Sequence, residues 1–289
     1  MSDASFARLP PDAPAATIRV AIAGAGGRMG QALIEATLEA SDLTLAAAID
    51  VSRSAAIGAD AGERCGRSTG VRVISDVDEA LSVADVLIDF TRPSGTLAHL
   101  AACANAGVAV VVGTTGFDDA GKAEIAARAR TIPIVFAPNM SVGVNVLTDF
   151  VRRAAQLLGP AFDVEVLEMH HRLKVDAPSG TALALGEAAA EGAGVALREH
   201  AIYAREGVTG ERPPAAIGFA TLRGGDVVGE HTVLFAGAGE RLELTHRAMS
   251  RRNFASGALR AARFVAAHRA NRGSGLFDMR DVLGLTSRG

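Results

Sequence analysis

The chain has 289 residues, 49% of them apolar and 21% charged, with a formal net charge of −3. That length is enough for two modest globular units with cores of their own, and the near-balanced charge supplies no bulk attraction to nucleic acid or to a membrane surface. Its two cysteines, Cys65 and Cys103, form no CxxC pair, disulfide framework or metal-ligand cluster, so a reduced, cytoplasmic setting is expected.

Met1–Ala16 is rich in Ala, Pro, Ser and Asp, lacks the basic start and apolar run of a signal peptide, and reads as a disordered tail. No apolar run is long enough to span a bilayer. Ile18–Ala23 is a short apolar strand candidate that ends in Gly24-Ala-Gly-Gly-Arg-Met-Gly30, and a helical pattern follows from Gln31 to Glu39. Further strands are expected at Leu43–Ile49, Val71–Ile74, Val86–Phe90, Val108–Val112 and Ile132–Phe136, with helices at Gly95–Ala106 and Asp119–Ala129. Strands alternating with helices imply an α/β unit, a doubly wound parallel sheet covered on both faces.

The pattern changes after about Asn139. A helix is expected over Val142–Leu158, a strand over Val164–Met169 and an Ala/Leu-rich helix over Thr181–Ala190. Strands at Ile217–Leu222, Glu230–Ala236 and Arg241–His246 then follow one another through Gly-rich turns, which marks an α+β unit with an open mixed sheet. A last helix, Phe254–His268, and the segment Gly275–Leu285 are expected to pack back on the first unit. The division is therefore 17–141 with 251–289, discontinuous, against 142–250, with hinges near Asn139 and Arg251.

The glycine loop has the spacing Gly24-x-x-Gly27-x-x-Gly30, with Met29 where the strict GxGxxG pattern would place its last glycine. Glycines let a backbone approach a pyrophosphate closely, and the helix behind them presents free N–H groups. Such a loop is often only a tight turn, but here a strand precedes it, a helix follows, and Asp50 ends the next strand, where an acid can hold ribose hydroxyls. Arg53 stands just beyond and can meet a 2′-phosphate or simply face water. Gly113-Thr-Thr-Gly116 ends another strand at the ligand-binding edge of such a sheet.

The segment Glu168–Thr181 carries the chemistry. His170, His171, Arg172 and Lys174 lie within five positions of an apolar strand, and Pro178-Ser-Gly-Thr181 starts a helix. Imidazoles exchange protons near neutral pH, lysine offers a mobile cation, and the N–H groups of Gly180 and Thr181 can hold a carboxylate. Each residue also has a plain reading: a structural histidine, a solvated lysine, a capping serine. Adjacent histidines on an extended chain point to opposite sides, so a metal site is not expected.

The chain resembles the 4-hydroxy-tetrahydrodipicolinate (dihydrodipicolinate) reductase family of bacterial lysine and diaminopimelate biosynthesis. The resemblance rests on Gly24–Gly30, Asp89-Phe-Thr-Arg-Pro93, Gly113–Phe117, Asn139-Met-Ser-Val-Gly-Val-Asn145, His170–Thr181, Arg205–Arg212, Gly229-Glu-His231 and Gly275–Met279, nearly everything from Ile18 to Leu285. It implies an NAD(P)H-dependent oxidoreductase that passes hydride to ring C4 of a small cyclic dicarboxylate, with His170 as acid/base residue and Lys174 as proton donor. His171, Gly180 and Thr181 would bind substrate. Gly24, Ala25, Gly26, Gly27, Arg28, Met29, Asp50, Gly113, Thr114, Thr115, Ala137, Pro138, Asn139 and Met140 would contact NADH or NADPH. It also implies a homotetramer joined through the second unit's sheets. Family members often carry Glu followed by Arg where this chain has Asp50 and Val51, so the choice between NADH and NADPH is open. Two other classes fit the residues alone: another two-domain nicotinamide-linked dehydrogenase, and a non-catalytic dinucleotide sensor.

Overall fold

The computed structural model describes residues 17–285; the expected tail 1–16 lies outside the described residues. Seven parallel strands form the first sheet: β1 (Ile18–Ala23), β2 (Leu43–Ile49), β3 (Val73–Ile74), β4 (Val86–Asp89), β5 (Ala109–Val112), β6 (Pro133–Phe136) and β12 (Gly275–Phe277), in the order β12-β6-β5-β4-β1-β2-β3. Helices α1 (Arg28–Glu39) and α8 (Arg252–Ala270) cover one face, and α2 (Val77–Ser82), α3 (Pro93–Ala106) and α4 (Asp119–Arg128) cover the other. Because both faces are covered, the central strands read as continuous apolar runs. Val86, Leu87 and Ile88 are fully buried, as are Val110 and Val111.

The second sheet has five strands in the order β11-β10-β7-β9-β8: β7 (Asp163–His170), β8 (Ala201–Ile202), β9 (Ile217–Arg223), β10 (Gly229–Ala236) and β11 (Arg241–Ala248). β7 runs antiparallel to β10 and parallel to β9, so the sheet is mixed. Among the described residues only one face is covered, by α5 (Val142–Leu158) and α6 (Gly180–Ala193), which close a core of Leu147, Val151, Leu185, Phe219, Val233 and Phe235. Alternation follows directly: Val164, Val166, Glu168 and His170 are buried, while Leu167 on the other face is 40% exposed. Short elements α7 (Leu197–His200) and α9 (Met279–Leu283) complete the described chain.

Most expected elements stand within two or three residues of their expected ends, and α5 has the bounds expected. Its start is capped by Ser141, as α4 is by Asp118 and α6 by Ser179. β3 is shorter than Val71–Ile74, because Asp60 draws the preceding chain into a turn. Thr69 Oγ1 and the Gly70 N–H donate to its carboxylate at 2.8 Å each. α2, α7 and β8 were not expected; each is too short to show a period. The last segment joins the first sheet: Gly275, Leu276 and Phe277 pair with Pro133, Ile134 and Val135.

Candidate active site

The glycine loop links β1 to α1. Gly24 takes a positive φ of 72°, and a Cβ on Gly30 would stand 2.1 Å from the Gly24 carbonyl oxygen, so only glycine fits there. A Cβ on Gly26 would meet Asp50 Oδ2 at 2.7 Å. Asp50 Oδ2 accepts the Gly26 N–H at 2.8 Å and the Ser54 hydroxyl at 3.1 Å, which ties the acid to the loop. α1 has no side-chain cap, so its first N–H groups remain open to an anion. A cleft of about 950 Å³ lies alongside, lined among others by Gly24, Gly27, Asp50, Arg53, Ser54 and Arg92. Such a cradle, with no room for a Cβ at Gly26 or Gly30, fits a dinucleotide.

Ala25 is fully buried beneath the loop, while Arg28 opens α1 and Met29 packs partly on the core. Gly113, Thr114 and Thr115 follow β5. Thr114 Oγ1 accepts from Thr96 at 2.8 Å and donates to Asp89 at 3.3 Å. Ala137, Pro138, Asn139 and Met140 carry the chain from β6 to α5. Met140 is 1% exposed, its side chain in the core of the first sheet. Asn139 reaches the second unit, where its Nδ2 donates to Thr181 Oγ1 at 3.0 Å.

The second cluster sits where β7 ends. His170 is buried at the strand's last position, with Nδ1 2.6 Å from Glu168 Oε2. Arg223, beside His170 in register on β9, grips Glu168 with both terminal nitrogens at 2.8 and 2.9 Å. The Ser179 N–H donates to Glu168 Oε1 at 3.1 Å. The Ser179 hydroxyl caps α6 through Ala182 N and meets His231 Nε2 at 2.9 Å. Gly180 and Thr181 form the first turn of that helix. His171 starts the turn beyond β7, its Nδ1 buried without a hydrogen-bond partner among the described residues. Lys174 Nζ rests on Asp176 Oδ1 at 2.8 Å.

Burial pushes the Glu168 carboxyl up, but hydrogen bonds from Arg223, His170 and Ser179 outweigh it and hold the group below its usual range. Burial also lowers His170, opposed by Glu168 and assisted by Lys174 and Arg223. His231 is pushed down to about 4, first by burial and then by the His170 charge.

The structure thus brings His170, Lys174 and the α6 start to one edge of the second sheet, and the glycine loop, Asp50 and Arg53 to one cleft of the first. Sequence reasoning held Glu168, His231 and Asp89 only within longer motifs and gave them no role, and it did not single out Arg223 or His99, which pairs with the buried Asp89 at 2.7 Å. Glu168 was within reach, two residues from His170 on the same strand face; Arg223 had no local signal.

Comparison with known proteins gives the family. Models of the N-terminus and C-terminus of dihydrodipicolinate reductase match residues 18–140 and 143–283. The chain belongs to the dihydrodipicolinate reductase family. The 4-hydroxy-tetrahydrodipicolinate reductase of Dechloromonas aromatica is 59% identical over 92% of this chain and 98% of its own. That of Cupriavidus necator is 58% identical over 93% and 100%. Among solved structures, a dipicolinate-bound dihydrodipicolinate reductase from a Paenisporosarcina species matches with a TM-score of 0.70 at 26% identity. It covers 91% of this chain and 97% of that one. The family assignment thus agrees with the sequence motifs from residue 18 to residue 283. Among the described residues no helix is long and apolar enough to cross a membrane.

Proposed function

We propose that this chain reduces 4-hydroxy-tetrahydrodipicolinate to tetrahydrodipicolinate with a nicotinamide dinucleotide, in the synthesis of diaminopimelate and lysine. The observation that carries the reading is the cluster at the end of β7: an imidazole, a lysine and the first turn of α6 at one sheet edge, joined to the dinucleotide-binding unit through Asn139 and Thr181. A sensor would not need that combination, and the family membership favours it over other two-domain dehydrogenases.

When bound, the nicotinamide supplies a hydride, here assigned to ring C4 after the 4-hydroxyl leaves as water. Gly24–Met29 and the α1 start would hold the pyrophosphate, Asp50 the adenosine ribose, and Gly113–Thr115 with Ala137–Met140 the far end. His171, Lys174 and the N–H groups of Gly180 and Thr181 would balance the two substrate carboxylates. Lys174 and His170 would pass the proton that the reduced ring takes up. The proposed units are 17–141 with 251–289, and 142–250; the return of β12 to β6 supports that division. The chain crosses between sheets after β6 and again after β11, and hinges at Asn139 and Arg251 would let the cleft close. The uncovered face of the second sheet, with Leu167 40% and Leu222 43% exposed, is the proposed homotetramer interface. A cytoplasmic location is part of the same reading.

The test is oxidation of NADH and NADPH, run in parallel, with substrate generated in situ. His170→Gln should lower the rate and flatten the limb of the pH profile that His170 controls; full rate with an unchanged profile would exclude it as the acid/base group. Asp50 favours two free ribose hydroxyls and repels a 2′-phosphate, and Val51 offers no cation to offset that. NADH should therefore serve at least as well as NADPH. Arg53, in the wall of the same cleft, should matter more to NADPH, so Arg53→Ala should raise the KM for NADPH more than that for NADH. A strong NADPH preference that survives Arg53→Ala would refute both statements.

A further inference from the structure

Glu168 is 2% exposed, an expensive place for a carboxylate unless its oxygens are filled. Four donors fill them: Arg223 Nη1 and Nη2, the Ser179 N–H and His170 Nδ1, at 2.6 to 3.1 Å. An ionised carboxylate only accepts, so the proton between it and His170 resides on Nδ1. In the neutral ring, Nε2 then keeps the lone pair. Space at that nitrogen is kept by Gly229, since a Cβ there would stand 3.0 Å from Nε2. His231, opposite Glu168 in register, closes the other side, its ring edge-on to His170 at a centroid distance of 5.1 Å. The charged groups around His170 are thus Glu168 on its own strand, Arg223 on β9 and Lys174 on the turn beyond; His231 faces it from β10 and stays neutral near pH 7.

We propose that Glu168 is a positioning residue: held by Arg223 and Ser179, it fixes the His170 ring and its Nδ1–H form so that Nε2 is the nitrogen that exchanges protons with substrate. The same carboxylate ties the α6 start to the histidine, so acid/base group and carboxylate-binding turn move as one piece. This rests on the reading of His170 as the acid/base residue. A carboxylate that merely braced β7 against β9 and α6 would leave the protonation behaviour of His170 alone, and that difference is measurable.

The experiment compares kcat/KM against pH for the parent enzyme, Glu168→Gln, Arg223→Met and His170→Gln, with NADH titration and thermal melting of each. His170→Gln identifies the limb that belongs to the histidine. Glu168→Gln removes the negative charge at nearly constant shape and should move that limb to lower pH by about one unit. It should also lower kcat about tenfold or more with NADH affinity unchanged. Arg223→Met removes the opposing positive charge and should move the limb to higher pH. Shifts of opposite sign are the signature; loss of bracing would not produce them. A limb that His170→Gln abolishes but that stays in place in both other variants overturns the positioning role while leaving the acid/base reading intact. A limb that survives His170→Gln overturns that reading and this inference with it. If Glu168→Gln gives no folded protein, the upward shift in Arg223→Met decides, and its absence overturns the proposal.

Discussion

Lys174→Ala is expected to lower kcat by about 10²- to 10⁴-fold with NADH affinity unchanged, the range lost when a positioned proton donor is removed. Lys174 lies on the turn beyond β7, and the cleft beside the glycine loop is lined by other residues. Its ammonium rests on Asp176, whose carboxyl is held below its usual range chiefly by that hydrogen bond. Asp176 is largely exposed, with 57% of its side-chain surface open, so the pair is only weakly held and the ammonium is free to turn to a substrate carboxylate. Steady-state kinetics with fluorescence titration of NADH separate the two effects. An equal loss of NADH binding would sink the assignment, because the side chain would then be acting through the dinucleotide site.

Gly30→Ala should have the largest effect on the dinucleotide site. The added Cβ would stand 2.1 Å from the Gly24 carbonyl oxygen, 2.8 Å from its carbon and 2.9 Å from Ala25 Cα. All three are main-chain atoms, so no side chain can swing away and the loop itself must move. Overpacking of this kind costs roughly 1–3 kcal/mol, and here it displaces the turn that would face the pyrophosphate. The expected result is NADH binding weakened by about five- to 150-fold, that cost converted at 1.4 kcal/mol per tenfold of affinity, with a lower melting temperature. Unchanged binding and melting in Gly30→Ala would show that the loop is not the cradle described.

Much of this was legible because it is local. The strand–glycine loop–helix at residues 18–39, the helix Val142–Leu158 and the cap Ser179 each depend on residues a few positions apart. Helix and strand periods, cap chemistry and glycine geometry act over that range. The family motifs then implied roles for His170, Lys174 and the start of α6, already singled out by residue type. Where local order was governed by a distant partner, the expectation drifted: β3 lost its first two residues to the pull of Asp60.

By itself, then, the sequence determined the two kinds of sheet, the glycine loop between β1 and α1 and the short segment that holds His170 and Lys174. Only the tertiary structure decided what surrounds them. Arg223 meets Glu168 across 55 positions, His231 meets Ser179 across 52, and Asn139 meets Thr181 across 42. Each of these pairs depends on strand register or on how the two sheets are joined. A slip of one residue in β9 would send Arg223 to the uncovered face of the sheet and leave the Glu168 charge buried without its cation. Nothing in the residues next to Arg223 encodes that register; it follows from the packing of α5 and α6 on one face, which selects the single alignment that buries Val166, Phe219, Val233 and Phe235 together.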